Sequence, residues 1–510
     1  MITDAVIPME VLSPGELRFE RVRRRAGIFV APAVFIGLLL LPMPGLKPEA
    51  HRLAAILATV VVLWVTETLP MPVTALLGAA LAVILRVAPA REVFAPYADP
   101  LMFLFIGAFI LAQAIFHHRL DRRFAYAVLS LPWVGARPSR ILLAYGAVTA
   151  FISGWISNTA TTAMMFGIGM SILAFFFGEA RGVSGKGVSV INPRYATGLM
   201  LMTAFAASIG GLLTPIGSPP NIIGLGFMRE MADIEISFFR WMMIGAPVVI
   251  VLFFILFAYL NYLSPAGVKE VPGSRELIQR LRIELGAWTT AQRSTAAAFA
   301  ITILLWIIPG IIALTAGDRS LLYQSVNRSM PEGVAALVGA MLLFVFPGND
   351  GERAITWREA VKIDWGVVLL YGGGFALGVL SFQTGLAEAI GRGLTSMLPW
   401  QGEFALLVAS VLIAVLLSEA TSNTAAANMI VPVVISIATA AGVDPLQPAL
   451  GATMAASLGF MLPVSTPCNA IVYGSGYIPL TRMIRYGLLL DIAGIIVIIA
   501  AVRLLSPLLR

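Results

Sequence analysis

Histidine, cysteine and charge are all scarce in this chain. Its 510 residues include three His and one Cys, Cys468. One cysteine excludes a disulfide within the chain, and so few His and Cys exclude a metal cluster built from them. Charged residues make up 12% of the sequence, against about 25% in a soluble globular protein. In their place stand apolar residues: 59% of the chain is hydrophobic and the mean hydropathy is +0.90. Many apolar runs approach about 20 residues, the length that crosses a bilayer as a helix. The composition therefore indicates an all-α polytopic membrane protein whose surroundings are the lipid bilayer. The net charge of +7 does not indicate a nucleic-acid partner, because the basic residues are scattered over short loops, as the positive-inside rule expects. The N-terminus shows no clear cleavage site. Its Arg18–Arg25 cluster precedes an apolar stretch from Gly27 to Leu41, which reads as a retained first span rather than a signal peptide.

A short motif occurs twice. Ser157-Asn158-Thr159-Ala160 recurs as Ser422-Asn423-Thr424-Ala425, 265 residues on. Each copy interrupts an apolar stretch and is followed by a proline-broken segment: Thr214-Pro215-Ile216-Gly217-Ser218-Pro219-Pro220-Asn221 in the first half, Leu462-Pro463-Val464-Ser465-Thr466-Pro467-Cys468-Asn469 in the second. The register extends upstream, where Asp99 to Gly107 aligns with Asp364 to Gly372 at the same spacing of 265. The downstream pair is 248 apart, so the first half carries an insertion, for which the Gly/polar loop 178–193 is the natural place.

These patterns divide the chain into a cytoplasmic segment 1–27, a first scaffold part 28–135, a first transport part 136–263, a polar linker 264–294, a second scaffold part 295–400 and a second transport part 401–510. Each transport part is expected to hold a re-entrant hairpin (138–178 and 402–441) and a broken helix (195–228 and 447–477). About 11 transmembrane helices result. The loop after the fourth span holds Arg119, Arg122, Arg123, Arg137 and Arg140 against one acid, Asp121, whereas its counterpart 385–405 holds Arg392 against Glu388 and Glu403. Equivalent loops of opposite charge character place the two repeats upside down relative to each other, with a cytoplasmic N-terminus and an extracytoplasmic C-terminus.

A hairpin of two half-helices brings its tip towards the middle of the bilayer. The second half-helix then aims its free N–H groups and positive dipole end at that tip, which makes an anion site from backbone. Asn and Ser oxygens at the same place are hard ligands suited to a small cation. A single Ser-Asn-Thr is an ordinary helix N-cap; two copies at matched positions, each trailed by a proline break, point to function. Two tips can take the two carboxylates of one small dicarboxylate anion. The prolines remove donors and block helix geometry, so the carbonyls freed there need a partner, which a bound cation can be. None of the four motifs contains Lys, Arg or His, so the anion's charge must be offset by something mobile, which argues for coupled symport. Glu67 and Glu419 lie in apolar surroundings, where a functional role and a structural hydrogen bond compete. His117 and His118 read as interfacial snorkelling residues rather than a proton relay. An enzyme is not indicated, since the histidines lie far from the tips and no hydrolytic constellation is present.

At these residues the chain resembles the divalent anion/sodium symporter family, in particular its dicarboxylate-transporting branch. The resemblance spans about 60–480. It rests on Trp64-Val65-Thr66-Glu67, both Ser-Asn-Thr tips, Ser218-Pro219-Pro220-Asn221 and Thr466-Pro467-Cys468-Asn469-Ala470 through Gly476. It implies an elevator mechanism in a homodimer, with Na+ as coupling ion and a C4-dicarboxylate as substrate; the alternatives are sodium-independent dicarboxylate exchange and sulfate or tricarboxylate symport. Carried over by residue, it implies one sodium site at Ser153, Ser157, Asn158 and Gly217, and another at Ser418, Ser422, Asn423, Ser465 and Pro467. Substrate contacts would be Asn158, Thr159, Ser218, Asn423, Thr424 and Thr466. Cys468 stands where the family usually has a second proline, and Ser418 where threonine is common; neither change removes an oxygen ligand.

The orientation can be tested by labelling single cysteines in a Cys468-free background with an impermeant thiol reagent. Positions in 264–294 are expected to be protected from outside and positions in 385–402 to react. Reaction of 264–294 from outside overturns the inverted arrangement.

Overall fold

The computed structural model describes residues 14–182, 191–317, 319–397 and 402–509. Among these residues the chain is helical throughout, with one isolated bridge between Pro347 and Arg353. The first half runs α1 (Pro14–Leu40), α2 (Pro48–Thr66), α3 (Met71–Ile84), α4 (Ala90–Phe94), α5 (Pro100–His117), α6 (Leu120–Leu129), α7 (Pro138–Ser153), α8 (Asn158–Gly182), α9 (Arg194–Gly210), α10 (Pro219–Ala232) and α11 (Phe238–Leu263). α12 (Ser274–Glu284) lies in the linker. The second half runs α13 (Thr290–Ala316), α14 (Leu321–Ser329), α15 (Glu332–Val345), α16 (Trp357–Ala360), α17 (Trp365–Gln383), α18 (Leu386–Met397), α19 (Glu403–Ala420), α20 (Asn423–Ala440), α21 (Leu446–Ala455), α22 (Pro467–Tyr473) and α23 (Leu480–Leu505). Proline opens several of these helices, including α2, α5, α7, α10 and α22. There its missing N–H costs nothing and its fixed φ suits the first turn.

By length and composition, nine helices among the described residues can cross a membrane, or ten if the pair α14 and α15, bent by 54°, is one span. This count includes α8, α19 and α20, the arms that the motif reading assigns to re-entrant hairpins. Length alone does not separate a long hairpin arm from a span. α8 has 25 residues and its counterpart α20 has 18, so part of the first-half insertion is extra helix. Residues 183–190 of the expected insertion loop lie outside the described residues.

α1 begins at Pro14, well before the apolar stretch that starts at Gly27. The basic cluster is helical because it has a partner. Glu67 ends α2 in a left-handed conformation, and its carboxylate pairs with Arg23 at 2.9 Å and Arg24 at 3.7 Å. The Thr68 hydroxyl donates to Arg24 O at 3.0 Å. Glu67 thus ties the base of α1 to the α2–α3 turn. His117 and His118 are likewise held by protein: His117 Nε2 meets Glu359 Oε1 at 2.9 Å, and His118 contacts the Ala354 carbonyl. That replaces the expectation of snorkelling with anchorage to the 346–364 loop.

Close helix contacts run over small residues, as in other membrane bundles. A Cβ at Gly107 of α5 would come within 2.5 Å of the Ala336 backbone of α15. One at Gly210 of α9 would lie 2.6 Å from Ala150 Cα of α7. The halves also interlock. α10 of the first half packs on α20 and α21 of the second, while α22 of the second packs on α8 and α9 of the first.

Gly210→Ala is expected to lower the thermal midpoint in detergent, because the obstacle is backbone and overpacking costs about 1–3 kcal/mol. Gly37→Ala, whose new methyl meets nothing within 4 Å, is the control. Equal midpoints for the two variants would show that α7 and α9 can separate without loss.

Candidate functional site

α7 ends at Ser153 and α8 begins at Asn158, so Ser157-Asn158 forms the tip at which the first turn of α8 presents its N–H groups. The carboxamide of Asn158 faces oxygen atoms: Ser153 Oγ at 2.6 Å and the carbonyls of Gly217 and Ala207 at 3.1 Å each. With nitrogen forward it can donate to all three. With oxygen forward it completes a cage of four neutral oxygens, which is a donor set for a small hard cation. The cage depends on glycine. A Cβ at Gly211 would strike the Asn158 carboxamide at 2.5 Å, and one at Gly217 would come within 2.6 Å of Gly211 O and 3.0 Å of Gly154 O. Ser153 is fully buried.

The second tip repeats this plan. α19 ends at Ala420 and α20 begins at Asn423. Ser418 Oγ lies 2.8 Å from Asn423 Oδ1 and 2.9 Å from Ala456 O, and Asn423 Nδ2 donates to Ser457 O at 3.3 Å. The pairs Ser153–Asn158 and Ser418–Asn423 therefore join the end of one hairpin arm to the start of the other in both halves.

The other site candidates divide by what their side chains do. Ser422 Oγ caps α20 by accepting from Ala425 N at 3.2 Å and lies 3.1 Å from the Met71 sulfur. Thr466 Oγ1 caps α22 by accepting from Asn469 N at 3.1 Å. Ser465 Oγ donates to Glu419, with Oε2 at 2.7 Å. Each hydroxyl thus has a protein partner but keeps an acceptor lone pair, and each residue also offers a backbone carbonyl. Pro467 opens α22 and its ring is exposed. Ser157 and Thr424 are half-buried and Thr159 is exposed. Ser218 Oγ, fully buried, meets Ser457 Oγ at 3.1 Å, a contact between a first-half break and a second-half break. The Cys468 thiol faces the hydroxyls of Thr162, Ser208 and Thr159, which brings α22 onto the first tip.

Three residues matter more than the motif reading foresaw. Asn221 Nδ2 donates to Gly211 O and Thr214 O, both at 2.8 Å. Asn469 Nδ2 donates to Gly459 O at 3.0 Å and Leu462 O at 2.9 Å. Each amide spans its own unwound loop, and both are fully buried. Their recurrence 248 residues apart was the available signal. The third is Glu419, whose Oε1 accepts from Phe460 N and Met461 N and whose Oε2 accepts from Ser465 Oγ. It clamps the second hairpin to the second break. Ser457 carries a fainter signal, since Ala455-Ala456-Ser457-Leu458-Gly459 repeats Ala206-Ala207-Ser208-Ile209-Gly210.

Two broken helices in an all-helical membrane protein, each beside a cluster of neutral oxygens at the start of a half-helix, form the kind of arrangement that transporters use. Residues 23–509 match the family described as the sodium:sulfate symporter transmembrane region, and the chain belongs to that family. Among its relatives, the sodium-dependent dicarboxylate transporter SdcS of Staphylococcus saprophyticus is 33% identical over 491 residues, covering 95% of this chain and 92% of its own. The SdcS of Staphylococcus aureus strain bovine RF122 is 34% identical over 489 residues, covering 94% and 91%. Two solved structures share the fold. The YdaH transporter of Alcanivorax borkumensis superposes with a TM-score of 0.53 at 11% identity, covering 94% of this chain and 97% of its own. MtrF of Neisseria gonorrhoeae does so with 0.50 at 14%, covering 95% and 97%.

Replacing Asn221 or Asn469 by Leu removes two donors at once from a buried loop. Each stranded carbonyl costs about 1–3 kcal/mol, so both variants are expected to melt well below the parent in detergent. A melting point equal to the parent's in either variant would show that the brace is dispensable.

Proposed function

We propose that this chain is a sodium-coupled symporter importing C4-dicarboxylates such as succinate, malate or fumarate by an elevator mechanism. The observation that carries the reading is the matched pair of neutral-oxygen clusters, Ser153–Asn158 with Gly217 and Ser418–Asn423 with the 456–459 backbone. Each sits at the N-terminus of a half-helix that can also receive a carboxylate. The SdcS relatives, named as sodium-dependent dicarboxylate transporters, support the same pairing of ion and substrate. Sodium would take Ser153, Asn158 and the Gly217 carbonyl at one site, with Ser157 beside it. At the other it would take Ser418, Asn423 and backbone near Ser422, Ser465 and Pro467. One carboxylate would meet Asn158 and Thr159, the other Asn423 and Thr424, with Ser218 and Thr466 nearby. One amide can offer its oxygen to the ion and its NH₂ to the carboxylate, and that shared group is the physical link between the two.

In the elevator reading, 28–135 and 295–400 form the scaffold of a homodimer in the cell membrane, and 136–263 with 401–510 move. The N-terminus is cytoplasmic and the C-terminus extracytoplasmic. Contacts crossing the boundary have to exchange during movement. Arg229 of α10 pairs with Asp99, the N-cap of α5, and Tyr371 of α17 donates to the same carboxylate at 3.1 Å. Glu332 of α15 accepts from the Phe238 amide at the start of α11. These polar contacts lie within an apolar boundary, where Phe227 packs on Phe375, Phe238 stacks on Trp306 and Trp155 meets Phe299.

Binding calorimetry at graded sodium, with choline as replacement, tests the coupling. Sodium should raise succinate affinity, and succinate should raise sodium affinity by the same factor. Thr424→Ala should weaken succinate binding by roughly ten- to a hundred-fold, the loss of one hydroxyl donor to a charged group, while changing sodium affinity less. Succinate affinity indifferent to sodium, with uptake that demands a dicarboxylate on the opposite side, would make the protein an exchanger.

A further inference from the structure

Away from the tips, a cavity of about 810 Å³ opens where four elements meet: α6, the tip end of α7, α12 with the turn after it, and α13. Its walls are mostly apolar, with Phe124 40% exposed and Phe151 50% exposed. Three buried polar atoms on residues lining it have no partner: Asp121 Oδ1, Arg123 Nε and the indole nitrogen of Trp155. Asp121 is 5% exposed and Trp155 9%. Burial pushes the Asp121 carboxyl up to about 6, against the Arg122 and Asp121 amides and the Arg122 and Arg119 charges, which pull it down. The cationic side is only partly matched: Arg123 lies over the Trp288 ring at 5.1 Å, and its Nε has no partner. Arg123 donates to the carbonyls of Leu285, Gly286 and Ala287 beyond α12, and Arg282 donates to Ser130 Oγ at 2.9 Å. Neither forms an ion pair with an acid among the described residues.

We propose that this cavity is a binding site for an aminophospholipid of the adjacent leaflet, with its phosphate at Arg123 and Arg282, its primary ammonium at Asp121, and its acyl chains along Phe124, Phe151 and Phe299. The assignment follows from complementarity. Two guanidinium groups and one carboxylate call for a headgroup carrying both signs, and the orphaned carboxylate oxygen calls for an N–H donor, which a quaternary ammonium lacks. The open, aromatic mouth suits acyl chains, whereas a free phosphate compound would leave the apolar wall uncovered. The site is distinct from the ion and carboxylate positions. It does, however, touch Trp155 and Ile156, the residues just before Ser157-Asn158, so a bound lipid would rest against the outer side of the first tip.

Native mass spectrometry of the full-length protein, reconstituted with equal amounts of phosphatidylethanolamine, phosphatidylglycerol and phosphatidylcholine, tests this. One phosphatidylethanolamine per chain should be retained roughly tenfold over the other two lipids, the size of one charge-assisted hydrogen bond. Asp121→Asn should erase that preference. Arg282→Gln, on an exposed position of α12, should reduce retention of phosphatidylethanolamine and phosphatidylglycerol together, and it keeps the test decisive if the Asp121 variant fails to fold. Equal retention of all three lipids by the parent, preference for phosphatidylglycerol, or Arg282→Gln behaving as the parent would each overturn the proposal.

Discussion

Two stretches of unwound backbone, 211–218 and 456–466, lie inside a protein that is embedded in apolar surroundings. Each free N–H or C=O there costs several kcal/mol if it finds no partner. The first-half break is almost wholly buried, so water is not the answer. Instead one asparagine per break turns back over its own loop and donates to two carbonyls, Asn221 to Gly211 and Thr214, Asn469 to Gly459 and Leu462. Further carbonyls in or beside the breaks face the tips: Gly217 O and, in the last turn of α9, Ala207 O face Asn158, while Ala456 O accepts from Ser418 and Ser457 O from Asn423. The oxygen clusters at the two tips are thus built largely from main-chain carbonyls in or beside the breaks, and they are neutral.

Proximity on this scale needs surfaces without side chains. Gly211 and Gly217 let the first break approach the Asn158 amide, and Gly459 lies close to both Ser418 Oγ and Asn423 Oδ1, at 3.2 Å and 3.3 Å from where its Cβ would be. The same economy joins the halves. Ser218 reaches Ser457, and Cys468 reaches the Thr159–Thr162 turn. Neither half completes a site region alone, since α10 rests on the second hairpin and α22 on the first. The hairpin of each half therefore packs against the broken helix of the other.

Much of this was legible in the sequence because proline, glycine and repetition are strong punctuation. The Ser-Asn-Thr tips fall at the starts of α8 and α20, and the Pro-rich breaks fall between α9 and α10 and between α21 and α22. The membrane class followed from composition alone. Less legible was which atom of a residue acts. Ser422, Ser465 and Thr466 read as oxygen ligands, and the structure adds that their hydroxyls also serve caps and a carboxylate. A sequence motif names residue types, whereas the partner of a hydroxyl is settled by three-dimensional neighbours such as Glu419, distant by 46 positions from Ser465. The start of α1 was hidden for the same reason. Nothing local marks Arg23 as helical, because what stabilises it is Glu67 on another helix.

The halves solve one mechanical problem by different chemistry. In the first, the Thr214 hydroxyl donates to the Gly154 carbonyl and ties the break to the end of α7. The repeat places Leu462 where Thr214 stands, which removes that donor, and Glu419 where Gly154 stands. The Glu419 carboxylate then makes the tie from the other side, accepting from Phe460 N, Met461 N and Ser465 Oγ. Ser465 occupies the position of Gly217, where a side chain would collide with the Gly211 and Gly154 carbonyls; in the second half a hydroxyl is accommodated because Glu419 receives it. The three substitutions form one exchange, an uncharged clamp for an ionisable one. Changing any one alone would leave a donor or an acceptor stranded in a buried place. An ionisable clamp beside the second tip and a neutral clamp beside the first mean that the two similar oxygen clusters sit in different fields. The repeat symmetry of the fold therefore does not extend to the energetics of the two sites.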